Sequence, residues 1–238
     1  MEKERAHVLG EHRDDLFFMA MFLLVLVIVF VGFAHTYYLA GIFHAKLPSL
    51  LVHVHGAIFS CWILLLFAQT ALVLANHVEW HKRLGVFGAV LGGAMVIVGF
   101  ATLVAALRRH ANLGMRPESL FADDVLQLSL FAVLVCWALL VRADGAAHKR
   151  LMLLATVSLL GPALSRWPYA FVFSSAWAFF GILDSYLIFL ILYDFWSRRK
   201  VHRVTILGSL LIVAMQYAMA PLAHAGFMHR CTLWIQGS

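Results

Sequence analysis

The stretch "LLVHVHGAIFSCWILLLFAQTALVLAN", Leu50–Asn76, contains no Asp, Glu, Lys or Arg. A run of about 20 apolar residues, wound as a helix, crosses the hydrocarbon core of a bilayer. In lipid only a helix or a closed barrel satisfies the backbone's polar groups internally. The stretch lacks the two-residue alternation of a barrel strand, so it reads as a transmembrane helix. Two imidazoles, His53 and His55, stand at its opening lip.

Six further runs of similar character flank it, and together the seven cover roughly 16–42, 50–76, 84–108, 120–141, 150–172, 177–196 and 204–227. The fifth is interrupted by Pro162 and Pro168. The whole chain agrees with this reading: 63% of its 238 residues are hydrophobic and 13% are charged, with mean hydropathy +0.88. A soluble domain carries roughly 25% charged residues. The expected fold is all-α: a polytopic bundle of about seven transmembrane helices forming one domain, 1–238. The short tail 1–15 is acidic as well as basic, and the run after it is longer than the apolar core of a signal peptide, so the first helix is expected to be retained.

Lys and Arg set the orientation. The pairs Lys82–Arg83 and Lys149–Arg150, and the group Arg198, Arg199, Lys200 and Arg203, fall on the same side as the tail. That side is expected to be cytoplasmic, leaving the C-terminus periplasmic in a bacterial inner (plasma) membrane. The net charge of +6 then holds loops against anionic headgroups. No soluble domain gathers the basic residues into a nucleic-acid footprint, so no nucleic-acid partner is expected. Cys61 and Cys136 lie inside runs as small apolar fillers, and no CxxC occurs.

The letters HKRL occur twice, at His81–Leu84 and His148–Leu151. Each copy opens a run on the cytoplasmic side, as an interfacial anchor or as the trace of a duplicated two-helix unit. Each histidine lies on the water side of its Lys–Arg pair, which makes it a poor metal or haem ligand.

Polar side chains inside a span are costly and mark functional sites by default. Counting up from the cytoplasmic anchors at about 1.5 Å per residue places His35, His53, His55, Asp123, Asp124, Arg166, Asp184 and His224 in the outer third of the spans or at their outer boundary. The inner two-thirds holds little beyond Gln69, Gln127 and Gln216. Arg166 and Asp184 fall at matched depth on consecutive spans and are expected to pair, or to leave Arg166 free for an anionic group. Asp194 is explained by Arg198, four residues on. The metal candidates are His35, His55 and His224, with His53 on the rim, because residues two apart face opposite sides of a helix. Gly56 is expected to admit a helix or a ligand beside His55. Ser119 is expected to cap the fourth helix.

The segments "YYLAGIFHAKLPSLLVHVHGAIFSCWILLLFAQTALV", "WHKRLGVFGAVL", "HKRLMLLATVSLLGPALSRWP" and "YDFWSRRKVHRVTILG" resemble an uncharacterised family of bacterial seven-helix inner-membrane proteins. The resemblance runs from about Tyr37 to Trp234. It implies a helical inner-membrane protein and no particular activity. A more distant likeness is to b-type membrane cytochromes, in which His pairs on neighbouring helices ligate haem.

The favoured reading is a redox-related membrane protein that binds haem b or a transition metal (Cu, Fe or Zn) near the periplasmic face. Arg166 would hold an anionic group, while Asp124 and Asp184 would orient ligands or relay protons. The alternatives are a zinc-dependent hydrolase acting on lipid, a proton-coupled transporter, and a non-catalytic subunit of a larger membrane complex. The expected partners are the bilayer, a small apolar or lipid-like substrate, and another membrane protein.

Overall fold

A computed structural model describes residues 2–45, 49–111, 114–167 and 175–237. Helices α1 (Glu2–Phe33), α2 (Leu50–Leu74), α3 (Val78–Arg108), α4 (Pro117–Leu140), α5 (Gly145–Val157), α6 (Gly161–Leu164), α7 (Ala176–Arg198), α8 (Arg203–Ala223) and α9 (Gly226–Gln236) follow in order, and the described residues contain no strand. Among the described residues six helices are long and apolar enough to cross a membrane: His12–Tyr38, which begins within α1 and runs beyond its end, then α2, α3, α4, most of α7, and α8. Large apolar side chains such as Leu50, Val90, Ile97 and Leu140 cover the outside of the bundle, where hydrocarbon is their natural solvent.

The fifth predicted run is not one helix. Asp144 caps α5, accepting from the Ala146 and Ala147 amides at 3.0 and 3.1 Å. The helix has 13 residues, about 20 Å, and cannot cross a ~30 Å core alone. Pro162 explains the break. Its missing N–H leaves the Ser158 carbonyl without an intrahelical partner, and tight turns follow, with Leu159 N–H donating to Thr156 and Leu160 N–H to Val157. The single turn of α6 then packs against α1 at Gly32. A Cβ there would sit 2.1 Å from the Ala163 carbonyl oxygen, so only glycine lets the two backbones meet. Pro168 lies outside the described residues.

The main core joins α1 to α8 around Phe18, Trp62, Phe131, Leu154 and Leu190. The Trp62 ring meets Phe131 edge-on at 5.1 Å, and its indole N–H donates to Thr156 Oγ1 at 3.2 Å. A second cluster (Leu103, Leu107, Phe121, Ala122, Ala223, Met228, Ile235) seats α9 across the ends of α3 and α4. Met228, Thr232 and Ile235, at i, i+4 and i+7, form its buried stripe. The sequence reading ended the last span near 227 and had no element here. Ser119 does not cap α4; Arg116 is the cap position and Pro117 opens the helix.

At the basic end, Arg150 and Asp194 form an ion pair in which neither side chain is exposed (0%/0%). Arg150 donates to Asp194 Oδ1 through Nε at 2.9 Å and also through Nη2. Asp194 Oδ2 accepts from the His202 amide at 3.0 Å and from Thr205 Oγ1 at 2.6 Å. The carboxylate is thus saturated and ties α5, α7 and the start of α8 together. This corrects the local Asp194–Arg198 pairing: Asp194 is buried together with Arg150, while Arg198 is exposed at the end of α7. Beside it Lys149 bridges Asp14 at 3.3 Å and Asp15 at 3.0 Å. Tyr193 donates to Asp14 at 2.7 Å and stacks on Phe17.

Candidate functional site

The end opposite the basic clamp is shaped by a change of helix type. After Phe33 the chain winds as a π-helix over Ala34–Tyr38, and the Leu39 amide donates to Ala34 O at 2.8 Å. Such wide turns recur at functional sites. Here the turn directs two tyrosines at α2. Tyr37 donates to the His53 carbonyl at 3.2 Å. The Tyr38 hydroxyl meets Ser60 Oγ at 2.7 Å, and Ser60 donates to Gly56 O at 2.6 Å. Gly56 serves the Tyr37 ring: a Cβ at this position would lie 2.8 Å from it. The open face beside His55 is therefore filled by Tyr37 of the π-helical turn.

His55 is one residue away. Its ring stacks on Phe59 at 4.1 Å, and its Nδ1 is buried with no hydrogen-bond partner among the described residues. Arg166, just beyond α6, lies within electrostatic reach of both His55 and Asp124 of α4. Its Nη1 donates to the Pro162 carbonyl at 2.5 Å, and its guanidinium sits 4.8 Å from the centre of the Phe33 ring. Asp123 lies within electrostatic reach of Gln127, one turn further along α4. Gln127 in turn packs against Gly161 at the break between α5 and α6, where a Cβ would approach its Oε1 to 3.2 Å. That Oε1 is buried and unpartnered. The structure thus groups His55, Asp124 and Arg166, with Asp123 and Gln127 behind them, around the broken span.

The other predicted residues stand elsewhere. Asp184 accepts from Gln216 of α8 at 2.8 Å. No ion pair joins it to Arg166 among the described residues, so the expected bridge is replaced by an amide–carboxylate bond and a cation–π contact. His224 is engaged at both ring nitrogens: Nδ1 with the Ala220 carbonyl at 2.7 Å, and Nε2 with Arg116 Nη1 at 3.5 Å. His35 is exposed against Phe43 at 4.4 Å. His53 contributes its carbonyl to Tyr37, and its ring lies 5.6 Å from that tyrosine.

Sequence reasoning missed the link that holds α9 down: Glu118 pairs with His229 at 2.8 Å and with Arg116 at 3.6 Å. Glu118 carries no signal of this on its own, because its partner lies on a helix the periodicity did not show. An apolar cavity of about 200 Å³ lies between α1 and α2, lined by Leu26, Phe30, Tyr38, Ser60, Ile63 and Leu64. Among the described residues no three His, Cys, Asp or Glu side chains gather where they would hold one metal ion. Compared with models of known families, with curated proteins and with solved structures, the chain finds no match.

Proposed function

We propose that the protein is a bacterial inner-membrane haem-binding protein with a redox role, its site near the periplasmic end around His55, Arg166 and Asp124. The observation that carries this reading is His55 Nδ1: a buried ring nitrogen without a partner among the described residues, within electrostatic reach of the Arg166 guanidinium, which makes no ion pair with a carboxylate among those residues. A single imidazole is a sufficient protein ligand for haem iron. Arg166 suits an anionic substituent of the same ligand. Asp124 balances the cation while the site is open and supplies a carboxylate that takes up a proton when charge at the site changes. Haem would supply one-electron chemistry; the chain supplies the ligand, the counter-charge and an apolar surround. Haem here would sit in a break in a span, where unpaired backbone is tolerated because it lines a site.

The test is an optical spectrum with metal analysis on protein purified from a haem-replete bacterial host. The expected result is a Soret band that His55→Ala abolishes, that Arg166→Gln weakens, and that His35→Ala and His224→Ala leave in place. A wild-type protein with no Soret band and no stoichiometric iron would overturn the reading.

A further inference from the structure

The two HKRL copies meet in space. His81 of α3 and His148 of α5 bring their ring centroids to 6.4 Å with the rings perpendicular, at 89°. The two lie 67 positions apart in the chain, which makes this a tertiary juxtaposition. The separation has a chemical meaning. An ion bound by imidazole nitrogen at about 2.0–2.1 Å lies about 3 Å from the ring centre, so two rings sharing one tetrahedral ion stand about 5 Å apart. The observed spacing is about 1 Å wider, a gap that turning the two rings toward each other closes.

The polar atoms around the pair are set as a ligand shell requires. His148 Nδ1 lies 2.9 Å from the Ala138 carbonyl. A carbonyl only accepts, so Nδ1 carries the proton and Nε2 keeps the lone pair. That carbonyl–imidazole arrangement orients metal-ligating histidines. His81 Nδ1 is buried with no partner among the described residues, and so is Gln69 Oε1. Nδ1 is therefore the His81 ring nitrogen left to meet an ion. Gln69 reaches the right place: its amide nitrogen lies 3.6 Å from where a Cβ of Gly85 would be, one turn along α3 from His81. Two ring nitrogens and one amide oxygen, from α5, α3 and α2, are unspent at one end of the bundle among the described residues.

Three of the neighbouring cations are already answered: Lys149 is held by Asp14 and Asp15, Arg150 by Asp194, and Lys82 by Glu79 at 3.1 Å. A fourth, Arg83, lies over the Trp80 ring.

We propose that His81 and His148, assisted by Gln69, form a binding site for a divalent transition-metal ion at the basic end of the bundle. Imidazole nitrogen selects Zn2+, Cu2+ or Ni2+ over Mg2+ and Ca2+, which prefer all-oxygen sites. The site is separate from the His55 group at the opposite end, and it stands whether or not that group takes haem.

Zn2+ is the probe, with Mg2+ as control, on the purified full chain in detergent. Carbethoxylation of histidines by diethyl pyrocarbonate is mapped by peptide mass spectrometry. Zn2+ is expected to protect His81 and His148 while His77 and His202 remain reactive, and Mg2+ is expected to protect neither. This footprint needs no mutant. Equilibrium dialysis should find one Zn2+ at this site. Loss of a ligand in His81→Ala or His148→Ala should weaken it by about 100-fold, at the upper end of what loss of a supporting partner costs. His55→Ala should leave it unchanged. Labelling of the pair that ignores saturating Zn2+, equal protection by Mg2+, or wild-type affinity in both variants would each overturn the proposal; a bridging water alone predicts the first.

Discussion

Remove the Asp194 carboxylate and Arg150 is left charged and sealed. In the intact protein neither side chain is exposed (0%/0%). Asp194 accepts from Arg150 Nε and Nη2, from the His202 amide and from Thr205 Oγ1. Breaking a buried pair by removing one partner costs about 3–5 kcal/mol. Asp194→Ala also orphans the Thr205 hydroxyl and the His202 amide, and each unsatisfied buried group adds about 1–3 kcal/mol. The single variant should therefore lose at least about 4 kcal/mol, a large share of the roughly 5–15 kcal/mol that holds a domain together. Asp194→Asn keeps an acceptor for Thr205 and His202 and should fall between the two. The double variant Arg150→Met/Asp194→Leu removes both charges and should recover most of the Arg150 part of the loss, since an apolar replacement of a buried pair is often neutral. Denaturant unfolding in mixed micelles, followed by helix signal and run as a double-mutant cycle, reads these differences. If Asp194→Ala costs less than about 1 kcal/mol, or if the double variant is as damaged as the sum of the singles, the buried clamp is not what joins α5, α7 and α8.

Two further outcomes follow from local geometry. Burial, with the Arg150 and Arg198 charges nearby, holds the His202 imidazole below its ordinary pKa of 6.5, and its Nδ1 accepts from the Val204 amide as the cap of α8. Below pH 6.5 the unfolded chain takes up a proton that the folded chain resists, so stability should fall as pH drops through that value toward the lowered one. Thermal unfolding against pH should show this slope in the wild type and lose it in His202→Asn, whose amide caps without titrating. Gly32→Ala places a Cβ 2.1 Å from the Ala163 carbonyl oxygen, and backbone on both sides leaves nothing flexible to yield. Detergent unfolding should show a loss of about 2 kcal/mol or more, within the 1–3 kcal/mol or greater range of overpacking, whereas Gly41→Ala, with open space around it, should be silent.

The long helices were legible because their signal is local. Runs predicted at 50–76, 120–141 and 177–196 match α2, α4 and α7 to within a few residues, since apolar length alone decides them. The fifth run misled for a physical reason. Hydropathy measures partitioning, and a broken segment buried among other helices partitions as an unbroken one does; Pro162 was the visible sign, but its consequence depends on Gly32 admitting α6. Helix α9 escaped because an amphipathic stripe of three residues is weak beside apolar runs.

Pairings were harder to read than elements. Arg166 and Asp184 have matching depth, yet depth is one coordinate, and rotation about each helix axis turns Asp184 toward Gln216. His81 and His148 were set aside because each adjoins water when its own helix is considered alone. Only the assembly of α3 and α5 over the end of α4 shows that they face each other. The repeated letters also serve unlike ends: Lys82 binds Glu79 at the surface and Arg83 lies over Trp80, while Lys149 and Arg150 are tied to α1 and α7.

The Arg150 clamp also bears on how the chain is made. Helix α5 is too short to span and carries a guanidinium that hydrocarbon does not accept. Asp194 lies 44 residues further on. At synthesis rates of about 5–20 residues per second, the ribosome takes roughly 2–9 s to deliver it. During that interval α5 has no reason to leave the membrane interface. Its final seat between α1, α4 and α8 is therefore expected to be taken only after α7 arrives, an order that the accessibility of a cysteine placed in α5 would report in nascent chains stopped before and after Asp194.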